Sequence, residues 1–168
     1  KQACGMVRFD IEAALSVGVA HSPQRGKRLR IASGNFISAR PLGVSEGIDM
    51  GYTGCIRKVD TEALQQRLES GALVLISPLG HSLSGKTFNL SMADIAEAVA
   101  IALKAEKLIF MIEPEGLLDE NGILIRNLAA QDARRRLDEH TIQPNQQRLL
   151  AAAINAVENQ VQRTQILS

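Results

Sequence analysis

The 168 residues carry nineteen Lys and Arg against eighteen Asp and Glu, a formal net charge of +1, with 45% apolar and 22% charged residues. That balance suits one globular domain with a substantial core, and it leaves no room for a second full one. The aromatics are four Phe and one Tyr, so no basic stripe interleaved with aromatics marks a nucleic-acid surface.

No apolar run is long enough to span a bilayer and no signal-peptide pattern opens the chain. Cys4 and Cys55 could pair, but a domain with this much apolar residue to bury needs no disulfide framework; they are expected as buried free thiols in a reducing, cytoplasmic compartment. Residues 1–16 read as a helix with Val7, Ile11, Ala14 and Leu15 on one face. Because the first residue is Lys1 rather than Met and residues 1–16 already look like the middle of a helix, the chain is expected to be a piece of a longer polypeptide.

A Ser-Pro-Gln-Arg-Gly-Lys loop follows over 21–27, then strands over 29–32, 36–39 and 52–59, with a hairpin tip near Gly47 or Gly51. Asp60 is the expected cap of a helix over 61–69 whose apolar stripe is Ala63, Leu64 and Leu68, and Ser70-Gly71 stops it. Residues 72–76 and 108–112 are unbroken apolar runs, expected as strands buried on both faces. Between them Ser91 caps a helix in which Ile95, Ala98, Val99, Ala102 and Leu103 recur at helical spacing, with Asp94 in its first turn. Asp119-Glu120-Asn121-Gly122 is a turn signal before a short strand through Ile125. Helices over 129–138 and 145–160 and a strand over 164–167 complete the series. Helices alternating with buried strands predict an α/β sandwich with a largely parallel central sheet.

Residues 80–87, Gly-His-Ser-Leu-Ser-Gly-Lys-Thr, satisfy the phosphate-loop pattern letter for letter. In a working loop Gly80 and Gly85 would expose backbone N–H groups to phosphate, Lys86 would add charge, and Thr87 would offer its hydroxyl to magnesium. The run 108–112 followed by Glu113 imitates the strand and acid that complete such a site. Yet the helix should begin at the Gly-Lys-Thr itself, whereas Thr87-Phe88-Asn89-Leu90 alternates like a strand and the cap lies at Ser91. A solvated turn with Lys86 as a surface charge is the preferred reading.

Asn89 stands where open α/β sheets bind ligands, at a strand exit just before a helix; a loop amide satisfying nearby backbone is the competing reading. His21, His81 and His140 lie in separate segments far from either cysteine, so no metal site is expected. Arg134, Arg135 and Arg136, flanked by Asp132, Asp138 and Glu139, read as a locally neutralised helix face.

The order of segments carries a resemblance. Ser33-Gly34-Asn35-Phe36-Ile37, Arg40-Pro41-Leu42-Gly43-Val44, Gly54-Cys55-Ile56-Arg57-Lys58-Val59-Asp60, Phe88-Asn89-Leu90 and Leu103-Lys104-Ala105-Glu106-Lys107 together resemble the amino-acid-kinase-like domain of N-acetylglutamate synthases, through nearly the whole chain. The resemblance implies a three-layer α/β/α, carbamate-kinase-like fold, in an enzyme that acetylates L-glutamate with acetyl-CoA and responds to L-arginine. It also implies a homo-oligomer, and that residues 1–168 form part of that domain, its first strand and the acetyltransferase domain lying outside. On that footing this segment holds no catalytic residue and no cofactor or metal.

By comparison with acetylglutamate kinases, Asn89 resembles the asparagine that contacts the acylated amino acid, and Asp94 the acid that follows, one residue further on than in those enzymes. Gly116 matches the glycine of their nucleotide site, whereas the aspartate before it is missing from Ile112-Glu113-Pro114-Glu115. Their late-helix lysine is absent from Gln147-Arg148-Leu149. Losing two charge-stabilising groups argues against phosphoryl transfer; the alternative is an active acylamino-acid kinase or a phosphate-loop NTPase.

Overall fold

The computed structural model describes residues 2–17, 29–113 and 116–168, which form two compact units, Lys1–Ser91 and Met92–Ser168. The loop expected over 21–27, and Pro114 and Glu115, lie outside the described residues.

The first unit opens with helix α1 (Gln2–Val17). Strand β1 (Ile31–Ser33) runs parallel to β6 (Leu73–Leu75), Ile31 opposite Leu73. Strand β2 (Ile37–Pro41) pairs antiparallel with β5 (Gly54–Val59), and between them projects a small hairpin, β3 (Val44–Ser45) and β4 (Ile48–Asp49). Its two-residue turn has Glu46 at φ 51° and Gly47 at φ 79°, the left-handed pair that matches the twist of the flanking strands. This is the tip expected near Gly47.

Asp60 caps α2 (Thr61–Glu69) as the sequence predicts, its Oδ1 accepting the amide of Ala63 at 3.1 Å. The helix stops where Gly71 turns to φ 75°, the left-handed exit that glycine adopts without strain. Strands β7 (Leu79–His81) and β8 (Thr87–Asn89) form a hairpin that joins β2 in a mixed sheet of order β5-β2-β7-β8. Phe36, Ile37, Ala39, Leu64, Phe88 and Leu90 are the buried apolar residues of the first unit.

The second unit alternates helix and strand: α3 (Met92–Ala102), β9 (Lys107–Met111), α4 (Ala130–Asp138), α5 (Pro144–Glu158) and β10 (Arg163–Leu167). Ser91 immediately precedes α3, the position expected of its cap. β9 and β10 run parallel, Leu108 opposite Thr164 and Phe110 opposite Ile166, the pairing that needs a long crossover such as the one through α4 and α5. Ala93 and Ala100 of α3 meet Ala152, Ala153 and Ala156 of α5 over Leu108, Phe110 and Val161. Alanines at the seam let the two helices approach closely. A second cluster joins Leu117, Ala133, Ile142, Leu150 and Ile154.

Three expectations are corrected. β9 is buried on alternate residues only: Leu108 and Phe110 are covered, while Ile109 and Met111 are 47% and 75% exposed, and in β6 Leu73 is exposed as well. An apolar run cannot reveal by itself whether its second face meets a neighbour. The short strand through Ile125 reduces to single bridges, Leu118 with Leu124 and Asp119 with Ile142. Cys4 and Cys55 are free, yet only half-buried.

Candidate functional site

Residues 80–87 owe their glycines to hairpin geometry. A Cβ on Gly80 would lie 2.7 Å from Ala39 Cβ and 2.7 Å from Leu90 Cδ1, so only glycine lets β7 sit this close to β2. Gly85 has φ 80° at the tip. The tip's polar groups turn inward: Gly85 N donates to Ser82 O at 3.0 Å, Lys86 N to Ser82 Oγ at 3.1 Å, and Ser82 N to Lys86 O at 2.8 Å. No helix starts at Gly85-Lys86-Thr87, because α3 begins only at Met92. Gly80, Gly85, Lys86 and Thr87 therefore lack the helix N-terminus and free amides that a phosphate loop uses.

The hairpin ends on Asn89, whose backbone amide donates to Tyr52 O at 2.8 Å and whose residue is exposed. In the same strand pair His81 Nδ1 lies 3.0 Å from Asn35 Oδ1. His81 is thereby a side-chain partner of the Ser33-Gly34-Asn35 segment.

The other expected residues lie in the second unit and meet at the first turn of α5. Asp94, in the first turn of α3, accepts two hydrogen bonds from one guanidinium, Arg148 Nε to Oδ1 at 3.1 Å and Arg148 Nη2 to Oδ2 at 2.7 Å. This fork-to-fork geometry holds the two helix starts in register. The hydrogen bond to Asp94 raises the Arg148 pKa above its ordinary value.

Two residues earlier, Gln146 is 3% exposed. Its Nε2 donates to Gly116 O at 3.0 Å and its Oε1 accepts from Leu118 N at 2.9 Å. The buried amide thus ties the segment after β9 to α5. Gly116 has φ 133°, and a Cβ there would stand 2.9 Å from Leu124 Cδ1, so the position demands glycine on both counts. Beyond it, Asp119 Oδ1 accepts the amides of Asn121 and Ile123 at 2.9 and 2.8 Å. The Asp119-Glu120-Asn121-Gly122 segment is the turn the sequence predicts. Among the described residues no group of His, Cys, Asp and Glu could hold a metal ion.

One turn along α3, Glu97 accepts a hydrogen bond from the Asn155 amide of α5. Burial pushes the Glu97 carboxyl pKa up, the Asp94 charge adds to the rise, and the Asn155 bond opposes it. Arg134 of α4 reaches Glu158 of α5 through two bonds, at 3.1 and 2.5 Å, and Arg135 pairs with Asp132 at 2.7 Å. Two arginines of the run are thus paired, Arg135 with the flanking Asp132 as expected and Arg134 with Glu158, which is not one of its flanking acids.

No motif singles out Gln146 or Glu97, and Arg148 enters only within the Gln147-Arg148-Leu149 segment. Gln146 does leave a readable trace: it stands between Ile142 and Leu150 at four-residue intervals, a polar residue on an apolar stripe, which must find buried partners.

An α/β chain with parallel strand pairs, and helix starts that converge charged and amide groups near strand exits, has the architecture of small-molecule kinases and their relatives. The chain belongs to the amino acid kinase family, whose profile it matches over residues 9–168. It is 41% identical over 167 residues to an amino-acid acetyltransferase of Ralstonia nicotianae, a match covering 99% of this chain and 37% of that protein. It is 46% identical to one of Pseudomonas fluorescens, again over 99% of this chain and 38% of the relative.

Among solved structures it is similar to N-acetylglutamate synthase of Neisseria gonorrhoeae, complexed with coenzyme A and L-arginine. The TM-score is 0.90 at 43% identity, over 99% of this chain and 39% of that one. A carbamate kinase of Giardia shares the fold, with a TM-score of 0.75 at 9% identity over 99% of this chain and 65% of that one. The chain thus spans under two fifths of the length of the acetyltransferases it matches.

Proposed function

We propose that this chain is part of a regulatory and subunit-assembling domain in an enzyme that transfers acetyl from acetyl-CoA to L-glutamate, the first step of arginine biosynthesis, with L-arginine as its effector. The observation that carries the reading is the match across 99% of the chain, at 43% identity and a TM-score of 0.90, to a synthase solved with coenzyme A and L-arginine. On this reading acetyl-CoA and L-glutamate are handled by residues outside 1–168, and the segment itself binds no cofactor. The enzyme works in the cytoplasm, in keeping with two free thiols and the biosynthetic role of the relatives. Among the described residues no helix is long and apolar enough to cross a membrane.

Three features support regulation over phosphoryl transfer. Ile112-Glu113-Pro114-Glu115 has no aspartate before Gly116, the late-helix segment Gln147-Arg148-Leu149 has no lysine, and the Arg148 guanidinium is committed to Asp94. Asn89 remains the candidate contact to an amino-acid ligand, being exposed at the end of β8. Assembly is supported by α1, which has no buried residue while Met6, Val7 and Phe9 are 68%, 55% and 62% exposed. A helix this apolar gains its stability when those side chains are covered, and on this reading a neighbouring subunit of the full-length enzyme covers them. The test is calorimetric: L-arginine titrated into the full-length enzyme should bind and inhibit acetyl transfer, and an enzyme that neither binds nor responds to it contradicts the regulatory role.

A further inference from the structure

Helices α3 and α4 flank α5, and in the second unit a cavity of about 320 Å³ opens over α5, lined by Asp94, Glu97, Arg134, Arg148, Ala151 and Asn155 among others. Its charges are unevenly satisfied. Asp94 is matched by Arg148 and Arg134 by Glu158, each through two hydrogen bonds. Glu97 has the Asn155 amide but, among the described residues, no cation within ion-pair distance. Asn155 is a neutral donor, so it orients the carboxylate without cancelling its charge.

A carboxylate partly withdrawn from water and left without a counter-ion is costly, and an arriving cation relieves that cost. The volume suits a ligand of amino-acid size.

We propose that this cavity is a binding site for a small organic cation whose ammonium or guanidinium head pairs with Glu97. The Asp94–Arg148 and Arg134–Glu158 pairs form its walls and stay intact, because the ligand's charge is met by Glu97 alone. The site does not depend on the regulatory reading, since it is defined by groups of this chain and is probed without any acetyl-transfer assay.

Agmatine, which carries both head groups and no carboxylate, is the probe. Isothermal titration of the protein at neutral pH and fixed ionic strength should give saturable binding, weakened about tenfold or more by Glu97→Gln and little changed by Asn155→Ala, which leaves the carboxylate in place. Undiminished binding to a Glu97→Gln protein with an unaltered circular dichroism spectrum overturns the proposal, as does the absence of saturation up to about 10 mM. If that variant does not fold, carbodiimide labelling of the unaltered protein decides: agmatine should protect Glu97 from modification, and equal labelling with and without it overturns the proposal.

Discussion

At the scale of single residues, three positions separate a hairpin from a phosphate loop. Gly80→Ala forces a methyl into contact with Ala39 and Leu90 at 2.7 Å and should destabilise by about 1–3 kcal/mol, the usual cost of overpacking. Gly85→Ala places a side chain at φ 80° and should lose about 1–2 kcal/mol. Lys86→Ala removes an exposed side chain from the hairpin tip and should move stability by less than about 0.5 kcal/mol. Urea denaturation of the three variants checks the ordering, and a large loss on Lys86→Ala would show a role for its charge that the hairpin does not supply.

Gln146 is the other sensitive residue. Gln146→Leu keeps a similar volume but orphans Gly116 O and Leu118 N, and should destabilise by about 2–4 kcal/mol in the same experiment.

Glu97 gives a pH signature. Its carboxyl pKa is raised in the folded protein by burial and by Asp94, so the folded state holds the proton over a range where the unfolded chain has released it. Its favourable contribution is complete below the unfolded value and is lost as pH rises through the folded one. Glu97→Gln, permanently neutral, should therefore raise the melting temperature relative to the unaltered protein at neutral pH, with the gap closing in acid. A gap that widens in acid would reverse the assignment.

At the scale of elements, local signals were legible where one residue type enforces one geometry. Asp60 before an apolar stripe and Gly71 after it marked α2 to the residue, and the Gly47 turn, the α3 start after Ser91 and the extended character of 87–90 were readable for the same reason. What could not be read is what each element packs against. The apolar run 108–112 is equally consistent with one or two covered faces, and only the packing of α3 and α5 on one side of β9 distinguishes Leu108 and Phe110 from Ile109 and Met111.

The candidate site follows the same division. The resemblance points to Gly116 and Asp94, while their partners Gln146 and Arg148 are remote in sequence and are brought to them by the packing of α5. The α1 face makes its own prediction: Phe9→Glu should leave the fold intact and shift the sedimentation coefficient toward a smaller species. An unchanged sedimentation profile would remove α1 from the assembly surface.

At the scale of the molecule, the fold is that of the amino acid kinase family, and on the proposed reading the positions on which phosphoryl transfer would lean are altered. A kinase fold can outlive its chemistry because fold and site are separable: packing around Leu108, Phe110 and the α3–α5 alanines holds the framework, and that framework does not depend on the charged residues a kinase would need. The measurement that bears most directly on this account is an assay of the full-length protein with L-glutamate and acetyl-CoA, and separately with N-acetyl-L-glutamate and ATP, each with and without L-arginine. Acetyl transfer that L-arginine inhibits, with no phosphorylation, is the expected result. ATP-dependent phosphorylation of N-acetyl-L-glutamate, with no acetyl transfer, would contradict it.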